Sequence, residues 1–112
     1  KRRQHEDVLM RKVELALRDG FQKPFNMKAL SIELGLSSSQ LTRRFKKTYG
    51  MPPTEYLTAL RLNHARTLLT ESCLTLDQIA KECGYDNGFY LSRVFTKKMK
   101  ISPSEYRRAH QV

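Results

Sequence analysis

Arg43 and Arg93 are the residues best placed to do specific chemistry, because each holds the same position in a segment that occurs twice. Projected as helices at about 100° per residue, both segments turn an arginine outward. With Leu41 and Phe45 inward, Arg43 lies nearly opposite, flanked by Ser39, Gln40, Lys46 and Lys47, with Thr42 at the margin. With Leu91, Phe95 and Met99 inward, Arg93 lies opposite, surrounded by Phe89, Tyr90, Thr96 and Lys97. An outward arginine can donate two hydrogen bonds to O6 and N7 of guanine in a major groove, while nearby lysines neutralise phosphates. A single basic helix face is explained as well by solvation. The same face found twice, each time after a glycine-marked turn, favours a surface that reads a polyanion.

The elements that must hold these faces are themselves repeated. Leu30-Ser31-Ile32-Glu33-Leu34-Gly35-Leu36 is echoed by Ile79-Ala80-Lys81-Glu82-Cys83-Gly84-Tyr85, forty-nine positions later. After one added residue the offset becomes fifty, and Leu41, Arg43, Phe45, Lys47, Pro53, Glu55 and Tyr56 match Leu91, Arg93, Phe95, Lys97, Pro103, Glu105 and Tyr106. Each copy reads as helix, turn, basic helix, and a proline that starts another helix. Val8, Leu9, Val13, Ala16 and Leu17 predict an amphipathic helix over about residues 4–19, ended by Gly20. Asn26 caps a short helix reaching Leu34, and Ser37 with Gln40 forms a capping box that opens the next, which stops at Gly50. Pro53 starts a long helix over about residues 53–70, about 27 Å at 1.5 Å per residue. Thr75 and Gln78 open a helix ending at Gly84. Asp86 or Asn87 caps one that runs to about Lys98, and Ser102, Pro103 and Glu105 open the last. No segment alternates as a strand should. The expectation is an all-α fold of about seven helices.

Charge and composition narrow the function classes. The chain has 112 residues, 39% of them hydrophobic, and a formal net charge of +10. That allows one domain or two very small ones, and a modest core rather than an enzyme's buried cleft. Residues 37–50 carry Arg43, Arg44, Lys46 and Lys47, and residues 87–100 carry Arg93, Lys97, Lys98 and Lys100, with no acid in either stretch. Residues 71–86 instead hold four acids against Lys81. The positive charge is therefore concentrated where each copy turns its second helix outward. Cys73 and Cys83 form no CxxC pair, and His5, His64 and His110 lack metal-ligand spacing, so neither a disulfide framework nor a metal or cofactor site is expected. Cys83, aligned with Leu34, reads as a small buried residue. No apolar run has transmembrane length and no signal peptide is recognised, so a cytoplasmic location with reduced thiols is expected. The chain opens at Lys1-Arg2-Arg3 without a methionine, which suggests the C-terminal part of a longer protein.

The chain resembles the C-terminal DNA-binding domain of the AraC/XylS family of bacterial transcription regulators. The resemblance extends from the first helix onward and is most specific in Arg61, Ala65, Leu68-Leu69, Ile79-Ala80, Gly84-Tyr85, Tyr90-Leu91, Arg93-Val94-Phe95 and Ser102-Pro103-Ser104-Glu105-Tyr106-Arg107. It implies two helix-turn-helix subdomains joined by the long helix, with helices 37–49 and 87–98 entering adjacent major-groove segments. The corresponding division is 1–52, a linking helix over 53–70, and 71–112. Carried over by position, base-reading sites fall on Ser39, Gln40, Thr42 and Arg43, then on Gly88, Phe89, Tyr90 and Arg93. Phosphate contacts are expected at Ser38, Lys46, Lys47, Asn87, Thr96 and Lys97. Ser39 is small where a larger side chain is often found, and Gly88 has no side chain, although its bareness would permit close backbone approach. Phe89 and Tyr90 suit contact with thymine methyls, unless either folds sideways onto the preceding helix.

Other residues read as structural. Arg61 and Arg66 are expected to tie the two subdomains together, and Tyr56 and Tyr106 to pack each helix that follows a proline onto its own unit. The resemblance further implies promoter binding beside RNA polymerase, usually with activation, and an effector or signal domain in an N-terminal part. Duplex DNA is the expected partner, and a bipartite, non-palindromic site follows from the head-to-tail copies with unlike faces. The alternative is an RNA binder or a protein adaptor built on helix-turn-helix units. An RNA binder would show stacking aromatics on a sheet, and an adaptor an exposed apolar stripe in place of two basic ones. No nucleophile–base pair, carboxylate pair or phosphate loop supports an enzyme.

Overall fold

The computed structural model describes residues 7–111, and among them every regular element is helical. The order is α1 (Val8–Gly20), α2 (Met27–Leu34), α3 (Ser38–Tyr49), α4 (Pro53–Glu71), α5 (Leu76–Glu82), α6 (Gly88–Met99) and α7 (Pro103–His110). The chain gathers into two compact units. Of the described residues, one contains those up to Gly20 with Pro24–Thr58, and the other contains Phe21–Lys23 with those from Ala59 to Gln111. The division falls inside α4, between Thr58 and Ala59.

Local chemistry explains where the helices start and stop. Asn26 accepts from the Ala29 N–H at 3.0 Å to cap α2. Ser37 and Gln40 close a reciprocal capping box on α3, as do Thr75 and Gln78 on α5 and Ser102 and Glu105 on α7. Asn87, not Asp86, caps α6 through the Tyr90 N–H at 2.9 Å. The turn after the first helix of each motif repeats bond for bond. Leu36 N–H donates to Ser31 O at 2.9 Å, and Tyr85 N–H donates to Ala80 O at 2.8 Å. Gly35 and Gly84, with φ +70° and +93°, make these left-handed exits possible. α5 itself ends at Glu82, with Cys83 as its C-cap, one residue before the glycine that marks the turn.

In the first unit Met10, Val13, Leu17, Leu41, Phe45 and Leu57 are buried. The buried stripe of α1 is Met10, Val13, Glu14 and Leu17, which corrects the expected one, since Val8 is 61% exposed and Ala16 is exposed too. Asp7 lies just before the helix; its carboxylate accepts from the Met10 N–H at 3.3 Å and from Arg44 of α3 at 2.8 and 3.2 Å, contacts compatible with the phase that buries Met10, Val13 and Leu17. Positions 4–6, included in the expected helix, lie outside the described residues, as does His5. Glu14, buried at 7% exposure, accepts from Tyr56 Oη and from Arg18.

In the second unit the core is Leu62, Ala65, Leu69, Ile79, Ala80, Cys83, Tyr85, Leu91 and Phe95. Cys83 is fully buried, as its alignment with Leu34 implies, and burial pushes its thiol up to about 12. Arg107 closes the C-terminal end of α4, donating to Leu69 O at 2.9 Å and to Ser72 O at 3.1 Å. Tyr56 meets Phe45 edge-on, with ring centroids 5.4 Å apart and planes at 74°, and Tyr106 meets Phe95 at 5.6 Å and 73°. Each post-proline helix is thus packed on its own basic helix by the same ring pair.

Candidate nucleic-acid interface

The two basic helices are held by their apolar faces. Leu41 and Phe45 of α3 and Leu91 and Phe95 of α6 are completely buried, which fixes the opposite faces outward. Ser38, Ser39, Gln40, Arg43, Lys46 and Lys47 are exposed on α3, and Thr42 is half-buried at the margin. On α6 Phe89, Tyr90, Arg93, Thr96 and Lys97 are exposed, and Asn87 is exposed just before it. Arg43 and Arg93 have no hydrogen-bond or ion-pair partner among the described residues, so both guanidinium groups retain their full set of donors.

Arg44 behaves differently. Although its own stretch contains no acid, Asp7 reaches it from the other end of the unit, and the guanidinium beside Asp7 holds that carboxyl below its usual range. The charge of α3 available to a polyanion therefore rests on Arg43, Lys46 and Lys47.

Two of the expected base-reading positions are already occupied. Gln40 Oε1 accepts from the Ser37 N–H at 2.9 Å, so reading a base with both ends of its amide would require opening the capping box. Gly88 is buried, and its N–H donates to Asp77 Oδ1 at 2.6 Å. A Cβ at residue 88 would stand 2.9 Å from that oxygen and 3.1 Å from Asp77 N. The close approach that glycine permits here is to the start of α5, which corrects the expectation that Gly88 opens the backbone to a ligand. Asp77 is the partner that sequence reasoning missed. It is eleven residues away and reads, on its own, as an ordinary acid in the first turn of a helix.

The aromatic positions part company. Phe89 is 73% exposed, whereas Tyr90 is 49% exposed and sets its ring edge-on to Tyr85, 5.3 Å away and at 81°. Tyr90 thus leans on the turn before α6 while keeping its other edge free. Arg61 supports that turn. It donates to Phe21 O and Lys23 O, each at 2.8 Å, and lies 5.2 Å from the Tyr85 ring centroid. Its partners belong to the second unit. Among the described residues the Arg66 side chain reaches only Asn63, one turn back on α4. Arg61 thus links residues 21–23, which fall in the expected segment 1–52, to Tyr85 in the expected segment 71–112, as the tie foreseen for it requires, whereas Arg66 makes a bond within one helix.

Each unit thus presents a short helix, a left-handed turn and a basic second helix with an unpaired outward arginine, an arrangement that defines a tandem helix-turn-helix DNA-binding domain. The helix-turn-helix domain family matches residues 30–109. The transcriptional activator RhaR of Salmonella schwarzengrund is 32% identical over 101 residues, covering 90% of this chain and 36% of that protein. The lactose operon transcription activator of Staphylococcus xylosus is 36% identical over 87 residues, covering 78% and 31%. The C-terminal domain of AraT, a response regulator from Geobacillus stearothermophilus, superposes with a TM-score of 0.89 at 27% identity, covering 97% of this chain and 91% of that one. The DNA-binding domain of AdpA, solved with a target DNA, gives 0.81 at 26% identity, covering 89% and 90%. The chain belongs to the AraC/XylS family of helix-turn-helix DNA-binding domains, a family of transcription regulators and not of enzymes. It spans about a third of the length of the curated relatives it matches. Among the described residues no helix is long and apolar enough to cross a membrane, and no cluster of ligating side chains could hold a metal.

Proposed function

We propose that this chain is the sequence-reading part of a cytoplasmic bacterial transcription activator, and that α3 and α6 each read one element of a bipartite, non-palindromic promoter site. The observation that carries this reading is the pair of unpartnered arginines, Arg43 and Arg93, at equivalent places on two outward basic faces. Arg43, Ser39 and Thr42 would contact bases from α3. Arg93, Phe89 and Tyr90 would do so from α6, the arginines through guanine and the aromatics through thymine methyls. Ser38, Lys46 and Lys47, with Asn87, Thr96 and Lys97, would contact phosphates and set register. Gln40 would serve mainly as the cap of α3, and Gly88 as a packing residue. RNA polymerase is the expected partner at the promoter, and the signal-receiving function would lie in another part of the protein. The names of the relatives, two of them activators, support this reading.

Base preference tests it. On a duplex selected by the chain from a random pool, Arg43→Ala should cost about 1–3 kcal/mol and relax one or two base pairs, with Arg93→Ala relaxing different ones. Base preferences left intact in both variants, with only weaker binding overall, would reduce these arginines to phosphate contacts.

A further inference from the structure

The start of α6 is held by an apparatus that α3 lacks. In the first unit residue 40 is a glutamine whose own side chain closes the capping box, and the turn glycine, Gly35, has nothing within 4 Å of the place a Cβ would occupy. In the second unit the equivalent residue is Tyr90, which caps nothing, and the equivalent turn is packed from behind. A Cβ on Gly84 would stand 2.6 Å from Phe21 O and 2.9 Å from Arg61 Nε, so glycine is needed there for close approach as well as for its φ of +93°. Gln22 Nε2 adds a hydrogen bond to Glu82 O at 2.8 Å, and Phe21 meets His64 edge-on at 5.4 Å.

Arg61 joins these parts. Two backbone carbonyls fix its guanidinium, which then lies 5.2 Å from the centroid of Tyr85, a ring 7% exposed. The Tyr85 ring in turn receives Tyr90. A planar cation held at two points restrains the ring it faces, and a ring so restrained offers its neighbour one edge-on seat rather than several. We propose that Arg61 is a positioning residue for base selection by α6, acting through Tyr85 to fix the rotamer of Tyr90, with Phe21–Lys23 as the anchor that holds Arg61 still. This rests on the reading of α6 as a base-reading helix. It adds a determinant of specificity that lies on α4 and need touch no DNA.

The test measures competition binding of every single-base-pair variant of a selected duplex by the 112-residue chain. The base pairs relaxed by Arg43→Ala and by Arg93→Ala assign each position to α3 or α6. Arg61→Lys keeps the charge near Tyr85 but cannot engage both carbonyls as the guanidinium fork does, and Tyr85→Leu removes the ring. Both should lower discrimination at the α6 base pairs about three- to tenfold, leave the α3 base pairs unchanged, and move the ring-proton resonances of Tyr90 in the free protein. Tyr85→Phe, which keeps the ring, should preserve discrimination. Unchanged discrimination at the α6 base pairs, or an equal loss at both sets, would overturn the proposal. If Arg93→Ala relaxes no base pair, the α6 reading itself has failed. The Tyr90 resonances then decide the positioning alone, and unmoved signals in Arg61→Lys overturn it.

Discussion

Lys100 adopts a left-handed backbone, φ 65° and ψ 19°, where the first copy has Gly50 at φ +84°. Both residues end a basic helix by donating the backbone N–H to the carbonyl four positions back, Lys100 to Thr96 and Gly50 to Lys46. A side chain in this conformation crowds the following carbonyl, which costs about 1–2 kcal/mol, and glycine avoids that clash while losing more backbone freedom on folding. Lys100→Gly should therefore stabilise the domain by about 1 kcal/mol, read as a rise in the urea midpoint at constant slope. A fall in the midpoint would show that the lysine makes a compensating interaction. The residue scale is also where the sequence was hardest to interpret. Helical phase alone places Arg43 and Arg93 outward, but Gly88 meets α5, Tyr90 meets Tyr85 of the turn, and Tyr85 meets Arg61 of α4. No local pattern announces a carboxylate eleven residues from Gly88 or a guanidinium twenty-four residues from Tyr85.

Among the elements, α1 is held in part by ionised groups. Asp7, just before it, binds Arg44 of α3, and Glu14 within it binds Tyr56 of α4. Both acids are held below their ordinary values, Asp7 mainly by the Arg44 hydrogen bonds and Glu14 mainly by the Tyr56 hydroxyl, with Arg18 adding to it. Burial works the other way at the phenol and raises Tyr56. A carboxyl whose pKa is lowered by folding contributes stability that is fully present above its unfolded value and is lost as the pH falls through its folded value. Thermal stability should therefore decline as the pH drops below the ordinary values of 3.8 for Asp7 and 4.5 for Glu14, with Glu105 in the α7 capping box contributing in the same sense. In the double variant Asp7→Asn, Glu14→Gln the melting temperature should start lower near neutral pH and fall less with acid. An equally steep acid dependence in the double variant would assign the effect elsewhere. The elements themselves were largely legible, because Asn26, the three capping boxes, the turn glycines and the prolines act on their own neighbours. The phase of α1 was not, since the side chains that meet Asp7 and Glu14, Arg44 and Tyr56, lie thirty-seven and forty-two positions away.

For the molecule as a whole, binding to DNA should be governed by the net charge of +10 and by its concentration on two helix faces. Affinity for duplex should fall steeply with salt, with a log–log slope near −0.9 per phosphate neutralised. Lys47→Ala or Lys97→Ala should each shallow that slope by about 1 and weaken all sequences alike. A slope that neither change affects would remove these lysines from the phosphate contacts. Arg44→Ala, by contrast, should alter the slope little, because that charge is already committed to Asp7.

Phe21–Lys23 belongs to the second unit although the chain on either side of it belongs to the first. During synthesis this tripeptide emerges well before Arg61, Glu82 and Gly84, the residues that will receive it, and must wait for them. Its docking closes loops of 40 and 60 residues, at an entropic cost that grows only as the logarithm of loop length but must be met before any contact forms. Contacts within α5, α6 and α7 close far shorter loops, so the second unit should collapse around them and take in the tripeptide late. Gln22→Ala should accordingly leave the folding limb of a chevron nearly unmoved and accelerate unfolding severalfold. A slowed folding limb would instead place the tripeptide in the nucleus. If docking is late, it is also the contact of this unit that opens first, so α6 would lose its support before the core around it loosens.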